Sequence, residues 1–159
     1  MIKPLFCLML LTLITACSAE PAKQQTNKPF QTQENTMNQT ESPQTASVSV
    51  NGQTFTLTLE NNPTAHAFAG LLPLDLTMSD HLSNEKFATL PNSLPTNDQK
   101  IGHINVGDLL LWQGDTVVIF YESFDSNYHY TKIGKIENAD RLKQILGKGT
   151  VQVKWQTLK

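Results

Sequence analysis

Apolar and polar side chains alternate along the chain from Val48 to Leu59, and this two-residue period is typical of β-strands. Val48 and Val50 alternate with serines, and after Asn51-Gly52 apolar residues alternate with threonines as far as Leu59. Asn and Gly both tolerate the positive φ that a two-residue hairpin turn requires. The folded part of the chain is therefore predicted to begin with a β-hairpin.

A short helix and a third strand are predicted to follow. Asn62 caps the helix and Pro63 occupies its first turn, while Pro73 ends it. Its apolar side chains share one face: Ala65, Phe68, Ala69 and Leu72. Residues 74–78 alternate again and predict a strand.

The remaining elements are predicted from apolar runs between turn residues. Residues 79–99 form a loop that contains a short extended piece at 85–87. Asn138 is expected to cap a short helix over 139–146 that ends at Gly147. Strands are predicted at 109–112 and 116–121, joined by a turn at 113–115, then at 128–136 after a turn at 125–127, and at 150–155.

The elements add up to seven or eight short strands and two short helices. A closed eight-stranded antiparallel barrel accommodates this count and leaves no exposed sheet edge. About 110 residues suit a single domain, which we place at 46–159.

The first residues carry a targeting pattern. Lys3 precedes a short apolar run, and the small residue Ala16 precedes Cys17. The run is shorter than the ~20 residues that a membrane-spanning helix needs. This order resembles the lipobox of bacterial lipoproteins, which implies a signal peptide at 1–16, a lipidated Cys17 and attachment to the membrane of the cell envelope. An ordinary cleaved signal peptide and a buried N-terminal strand or helix are the alternatives.

Residue Ser18 stands where, by the same resemblance, an aspartate would signal retention at the inner membrane. The expected location is therefore the outer membrane if the organism has two membranes. Residues 17–45 are rich in Gln, Thr, Asn, Pro and Ser and are predicted to be a disordered tether.

Composition excludes several kinds of site. Once the signal peptide is removed, Cys17 is the only cysteine, so no disulfide is expected, and if Cys17 is lipidated no free thiol remains. The formal net charge of −2 provides no basic surface for nucleic acid. The four histidines lack the spacing of metal ligands, and we predict neither a metal nor a cofactor.

Several motifs, in order, resemble the small bacterial cyclophilin-like family: Asn62-Pro63-Thr64-Ala65, Asn84-Glu85-Lys86-Phe87, Gly107-Asp108-Leu109-Leu110-Leu111-Trp112 and Tyr130-Thr131-Lys132-Ile133-Gly134. The resemblance covers about residues 48–155 and implies an eight-stranded cyclophilin-like barrel capped by helices. Cyclophilins proper isomerise prolyl peptide bonds with an arginine in a Phe-His-Arg segment. This chain has no such segment, and its only arginine is Arg141.

The missing segment favours a non-catalytic module that binds a peptide or a small apolar ligand. The alternative is a weak or divergent peptidyl-prolyl cis-trans isomerase. The interior of a small closed barrel is filled by side chains, so a ligand must bind outside it or at a mouth. We predict a shallow groove lined by Met78, Phe87, Tyr121 and Tyr130, with Glu85 at its rim.

The lipobox resemblance predicts that Cys17→Ala releases the domain from membranes or blocks processing of the signal peptide. Two or three acyl chains hold a protein stably at a bilayer, and the variant has none. Membrane fractionation and mass spectrometry of the mature N-terminus measure both effects, with Cys7→Ala as the control that keeps the acceptor thiol. A Cys17→Ala variant that fractionates and is processed like the wild type contradicts the lipoprotein interpretation.

Overall fold

The computed structural model describes residues 44–158. Their elements are β1 (Thr45–Val50), β2 (Gln53–Leu59), α1 (Pro63–Gly70), β3 (Leu74–His81), β4 (Glu85–Thr89), β5 (Gln99–Ile104), β6 (Asp108–Trp112), β7 (Thr116–Phe120), β8 (Phe124–Ile136), α2 (Leu142–Leu146) and β9 (Val151–Thr157). Within this part of the chain, no helix has the length and apolar character needed to cross a bilayer. The predicted signal peptide, Cys17 and the tether as far as residue 43 lie outside the described residues.

Eight strands form a closed antiparallel barrel, as predicted. Their order is β2-β1-β9-β3-β4-β7-β6-β8, and β8 pairs again with β2 to complete the circle. The ninth strand, β5, lies outside the barrel and pairs with the first half of β8. The mostly β architecture with two short helices is confirmed, with one strand more than the barrel requires.

Barrel closure depends on a close approach of two backbones. Leu59 pairs with Gly134 where β2 meets β8. A Cβ atom at Gly134 would lie 2.4 Å from the carbonyl oxygen of Thr58, which is far shorter than a van der Waals contact. Glycine at this position therefore allows β2 and β8 to come within hydrogen-bonding distance.

The interior is filled by every second side chain of the strands. Met78 and Trp155 are fully buried there, and the edge of Phe68 from α1 packs on Trp155 with ring centroids 5.5 Å apart. Asn62 caps α1 as predicted, because its Oδ1 accepts a hydrogen bond from the Ala65 amide at 2.8 Å. The Asn51-Gly52 turn is also confirmed, with φ of 47° and 77°.

The predicted loop over residues 79–99 is partly wrong. Strand β3 continues to His81 and turns directly into β4, so Asp80 and Glu85 lie on strands rather than in a loop. The turn between them places Leu82 and Ser83 at φ of 50° and 57°. The connection has three residues, Leu82, Ser83 and Asn84, and neither leucine nor serine is a residue type that usually adopts a positive φ.

Two further elements differ from the sequence prediction. The predicted turn at 125–127 lies inside β8, because Asp125 and Ser126 pair with His103 and Gly102 of β5. Asn138 has a φ of 51° and makes no side-chain cap, and a 3-10 turn over Ala139–Arg141 precedes α2. Pairing with a distant strand and a left-handed residue therefore override the local preferences.

The close approach of β2 and β8 at Gly134 predicts that one added methyl group there strongly destabilises the domain. Gly134→Ala should lower the free energy of unfolding by at least about 2 kcal/mol, since the backbone of β2 must move to relieve the overlap. Urea denaturation measures the loss. Gly70→Ala is the control, because a Cβ there meets nothing within 4 Å, and it should not destabilise the domain. Equal stabilities of the two variants would contradict this account of closure.

Candidate functional site

The outer faces of β4, β7, β6 and β8, together with β5, form a second apolar surface, separate from the barrel interior. Its buried members are Ile104, Leu110, Val118, Phe120 and Tyr130. Next to this cluster the surface opens into a groove of about 460 Å³, which we call the outer groove. It is lined by His81, Leu82, Asn84, Glu85, Phe87, Trp112, Gln113, Thr116, Val118, Phe124, Tyr128 and Tyr130.

Aromatic rings dominate the lining of the outer groove. The Trp112 ring lies 5.2 Å from that of Tyr130 and 5.7 Å from that of Tyr128, measured between centroids. Phe87, on β4, packs edge-on against His81 at 6.2 Å. Alternation explains this gathering, because these residues of neighbouring strands point to the same side of the sheet.

Two side chains on the groove are unusually exposed for their type. Leu82 is 78% exposed and Tyr128 is 63% exposed. Within residues 44–158, these two and Leu158 are the large hydrophobic side chains that remain open to solvent. An exposed apolar surface beside a groove is typical of a binding site, because burial of such a surface on binding is favourable.

Glu85 brings a carboxylate to the aromatic lining. Burial raises the pKa of this carboxyl above its ordinary value. Burial also raises the pKa of Tyr130 to about 12, and the negative charge of Glu85 adds to that effect. Glu85 and Tyr130 both line the outer groove.

Lys86 lies between Glu85 and Phe87 and points the other way, into the barrel. Its ammonium is fully buried and donates hydrogen bonds of 2.6 Å to Asp80 Oδ2 and to the carbonyl oxygen of Gly149. The Tyr121 hydroxyl donates to the same Asp80 oxygen at 2.6 Å. We call Asp80, Lys86 and Tyr121 the interior cluster.

The interior cluster holds Asp80 in its ionised form. The hydrogen bond from Lys86 and then that from Tyr121 lower the pKa of Asp80 below its ordinary value. Burial, followed by the hydrogen bond to Asp80, raises the pKa of Tyr121 well above its usual range. The cluster is therefore an ion pair of Lys86 with Asp80, supported by a neutral phenol.

Asp80 also connects the interior cluster to the rim of the outer groove. Its other carboxylate oxygen, Oδ1, accepts a hydrogen bond from the Ser83 amide at 3.2 Å. Leu82 precedes Ser83 in the left-handed conformation, which disfavours a leucine by ~1–2 kcal/mol. The hydrogen bond from the Ser83 amide to Asp80 helps to hold the turn in this conformation, which keeps Leu82 at the groove.

The structure brings together three of the five predicted groove residues. Glu85, Phe87 and Tyr130 line the outer groove, and their role in binding stays a prediction. The expectation that Met78 and Tyr121 share this surface is wrong, because both side chains are buried in the core of the barrel. Met78 follows the inward alternation of β3, and Tyr121 extends that of β7 beyond its last paired residue.

Sequence reasoning missed Leu82, Trp112 and Tyr128. The alternation that places Leu111 in the core places Trp112 on the outer face, so Trp112 was detectable. Leu82 could not be assigned, since its position depends on a turn that the sequence does not signal.

Arg141 is exposed on the 3-10 turn and does not line the groove. Across residues 44–158, His, Cys, Asp and Glu form no group of three or more suited to a metal.

Comparison with known proteins gives two matches. A sequence model described as the cyclophilin-like family matches residues 48–156. The solution structure of the hypothetical protein AF2241 from Archaeoglobus fulgidus is similar with a TM-score of 0.51 and 15% sequence identity, over 77% of this chain and 100% of that one. At this identity the likeness concerns the fold alone. No curated protein matches the chain.

The interior cluster predicts that Asp80→Asn lowers the free energy of unfolding at pH 7 by about 3 kcal/mol, since the buried ammonium of Lys86 loses its counter-charge. Because the pKa of Asp80 is lower in the folded state, its contribution is complete above pH ~5 and disappears as the pH falls through ~3.9 and below. Urea denaturation at pH values from 3 to 7 measures the free energy of unfolding. Asp80→Asn should remove the part of its decrease at low pH that comes from protonation of Asp80.

Asp75→Asn is the matched control for Asp80→Asn. Asp75 is 51% exposed and lies 3.8 Å from Lys154, so its loss should change stability by less than about 0.5 kcal/mol. An Asp80→Asn variant as stable as Asp75→Asn would mean that the buried ammonium of Lys86 does not need Asp80 as its counter-charge.

Proposed function

The chain belongs to the cyclophilin-like family, and we propose that it is a non-catalytic binding module that holds a peptide or a small apolar ligand in its outer groove. The observation that carries the proposal is the groove itself, which joins several aromatic rings to a few polar groups on a rigid sheet. Its volume of about 460 Å³ falls in the range of ~300–1,000 Å³ that small-molecule sites occupy.

The β3–β4 turn supports the proposal independently. A leucine in the left-handed conformation and open to solvent contributes nothing evident to the stability of the domain. Such strain persists where the surrounding structure imposes it, and it is concentrated at functional sites. A ligand that covers Leu82 and Tyr128 would bury the two exposed apolar side chains at once.

The absence of a cation from the lining favours binding without catalysis. Rotation about a prolyl bond has an uncatalysed barrier of ~18–20 kcal/mol, and preorganised charge usually contributes most to lowering such barriers. The side chains that line the groove include neither lysine nor arginine. The weak or divergent isomerase is the alternative, which rests on the family and on the groove's position outside the barrel.

The proposed location is the cell envelope. The pattern of Ala16 and Cys17 after the apolar run supports attachment through a lipid on Cys17. A binding module tethered in this way would meet ligands at the surface of a membrane, at the outer membrane if the organism has two.

The turn gives a direct test of the groove. Leu82→Gly should weaken binding of the neutral peptide acetyl-Phe-Pro-norleucine-Phe-amide at least about 5-fold, because an apolar contact of roughly 1 kcal/mol or more is lost. The same change should not lower stability, since glycine relieves the strain at φ 50°. Titration followed by NMR of the ¹⁵N-labelled domain measures affinity and identifies the perturbed amides.

Ser83→Gly is the matched control, because Ser83 has the same left-handed conformation but does not line the groove. It should keep the affinity of the wild type. If the peptide leaves the groove amides and the Trp112 indole unperturbed at millimolar concentration, the binding proposal fails. Exchange spectroscopy on the Phe-Pro bond in the same samples separates the alternatives, since catalysed cis–trans exchange would support the isomerase.

A further inference from the structure

Glu85 is the one partly buried carboxylate in residues 44–158 that has neither a hydrogen bond nor an ion pair. The other four partly buried carboxylates all have partners. Asp80 binds Lys86, Asp108 accepts from the Asn105 amide, Asp115 accepts from Thr116, and Glu122 pairs with Lys143. A carboxylate that has lost part of its hydration without gaining a partner is unfavourable in the free protein.

The immediate surroundings of Glu85 compensate its charge only in part. His81 lowers the pKa of Glu85 and Asp80 raises it, but the first cause of the net upward shift is burial. Glu85 is also the one acidic or basic side chain in the lining apart from His81. The outer groove therefore has an excess of negative charge when Glu85 is ionised.

The aromatic rings around Glu85 have the complementary chemistry. The faces of Trp, Tyr and Phe attract ammonium and guanidinium groups through the ring quadrupole, and Trp attracts them most strongly. Phe87, Trp112, Tyr128 and Tyr130 all line the same groove as Glu85. An organic cation with an apolar stem could place its charge at the carboxylate and its stem on the rings.

We infer that the outer groove selects a peptide segment that presents a lysine or arginine side chain to Glu85 between aromatic rings. The inference rests on the proposed function and names the class of ligand within it. Binding of the cation would supply the partner that Glu85 lacks, and charge-assisted hydrogen bonds are the strong ones among those that proteins form. The preference for a basic residue therefore originates in one carboxylate, which makes it testable by one substitution.

Three blocked peptides that differ at one position test the inference: acetyl-Phe-Pro-Xaa-Phe-amide with lysine, norleucine or glutamate as Xaa. Lysine and norleucine share a linear aliphatic stem and differ in the ammonium. On the wild-type domain, we expect the lysine peptide to bind about 10-fold tighter than the norleucine peptide, and the glutamate peptide to bind most weakly. NMR titration gives the three dissociation constants.

Glu85→Gln should remove this order, so that the lysine and norleucine peptides bind with similar affinity. Since it also removes an unpaired carboxylate, it should not lower the melting temperature, so a folding defect is not expected to obscure the result. Glu122→Gln is the matched control, because Glu122 is a partly buried carboxylate outside the groove. It should retain the preference for lysine.

The outcomes separate the inference from the function on which it rests. Equal affinities of the lysine and norleucine peptides overturn the inference and leave the proposed binding intact. Loss of the preference in both variants overturns it too, since the preference would then reflect overall charge. Failure of all three peptides to bind overturns the proposed peptide-binding function. Loss of the preference in Glu85→Gln alone supports the inference.

Discussion

Closure of the barrel between β2 and β8 is the constraint on which the rest of the molecule depends. The two strands meet where Gly134 has no side chain to separate them from the backbone of Thr58. Once the sheet is closed, each strand residue points either into the barrel or out of it. The interior is filled by apolar side chains and the interior cluster. The proposed site therefore lies on the outside of the barrel.

Consecutive residues of strand β4 point alternately into the barrel and out of it. Lys86 points inward and is fixed by Asp80, whereas Glu85 and Phe87 point outward to the groove. The same Asp80 binds the amide of Ser83 and so supports the turn that carries Leu82. A buried ion pair often contributes little net stability compared with apolar packing. Its value here is geometric, because it orients both the strand and the turn at the edge of the site.

Local signals in the sequence predicted the fold at turns and helix caps, because these positions favour particular residue types. The Asn51-Gly52 turn, the cap at Asn62 and the turn at 113–115 between the apolar runs of β6 and β7 were recognised for this reason. Strand β5 was not predicted, because it is specified by pairing with β8 rather than by an alternating pattern of its own. Tertiary pairing of this kind overrides intrinsic strand preferences.

The candidate site, too, could be predicted only in part from the sequence. Alternation tells which residues share a face but does not tell which face is the interior. Phe87 and Tyr130 were assigned to the outside correctly, whereas Met78 and Tyr121 were not. Leu82 requires knowledge of the turn, whose conformation depends on a hydrogen bond to Asp80.

The order of strands in the barrel also affects how the domain can fold. Strand β9 lies between β1 and β3, and it pairs Thr157 with Ala46 near the opposite end of the described chain. Bringing such distant residues together has a large entropic cost, so high contact order slows folding. The β1–β2 hairpin forms from local contacts but gains its second neighbour only after β9 is available. A chain that emerges N-terminus first would therefore remain without its closed barrel until the last strand is available.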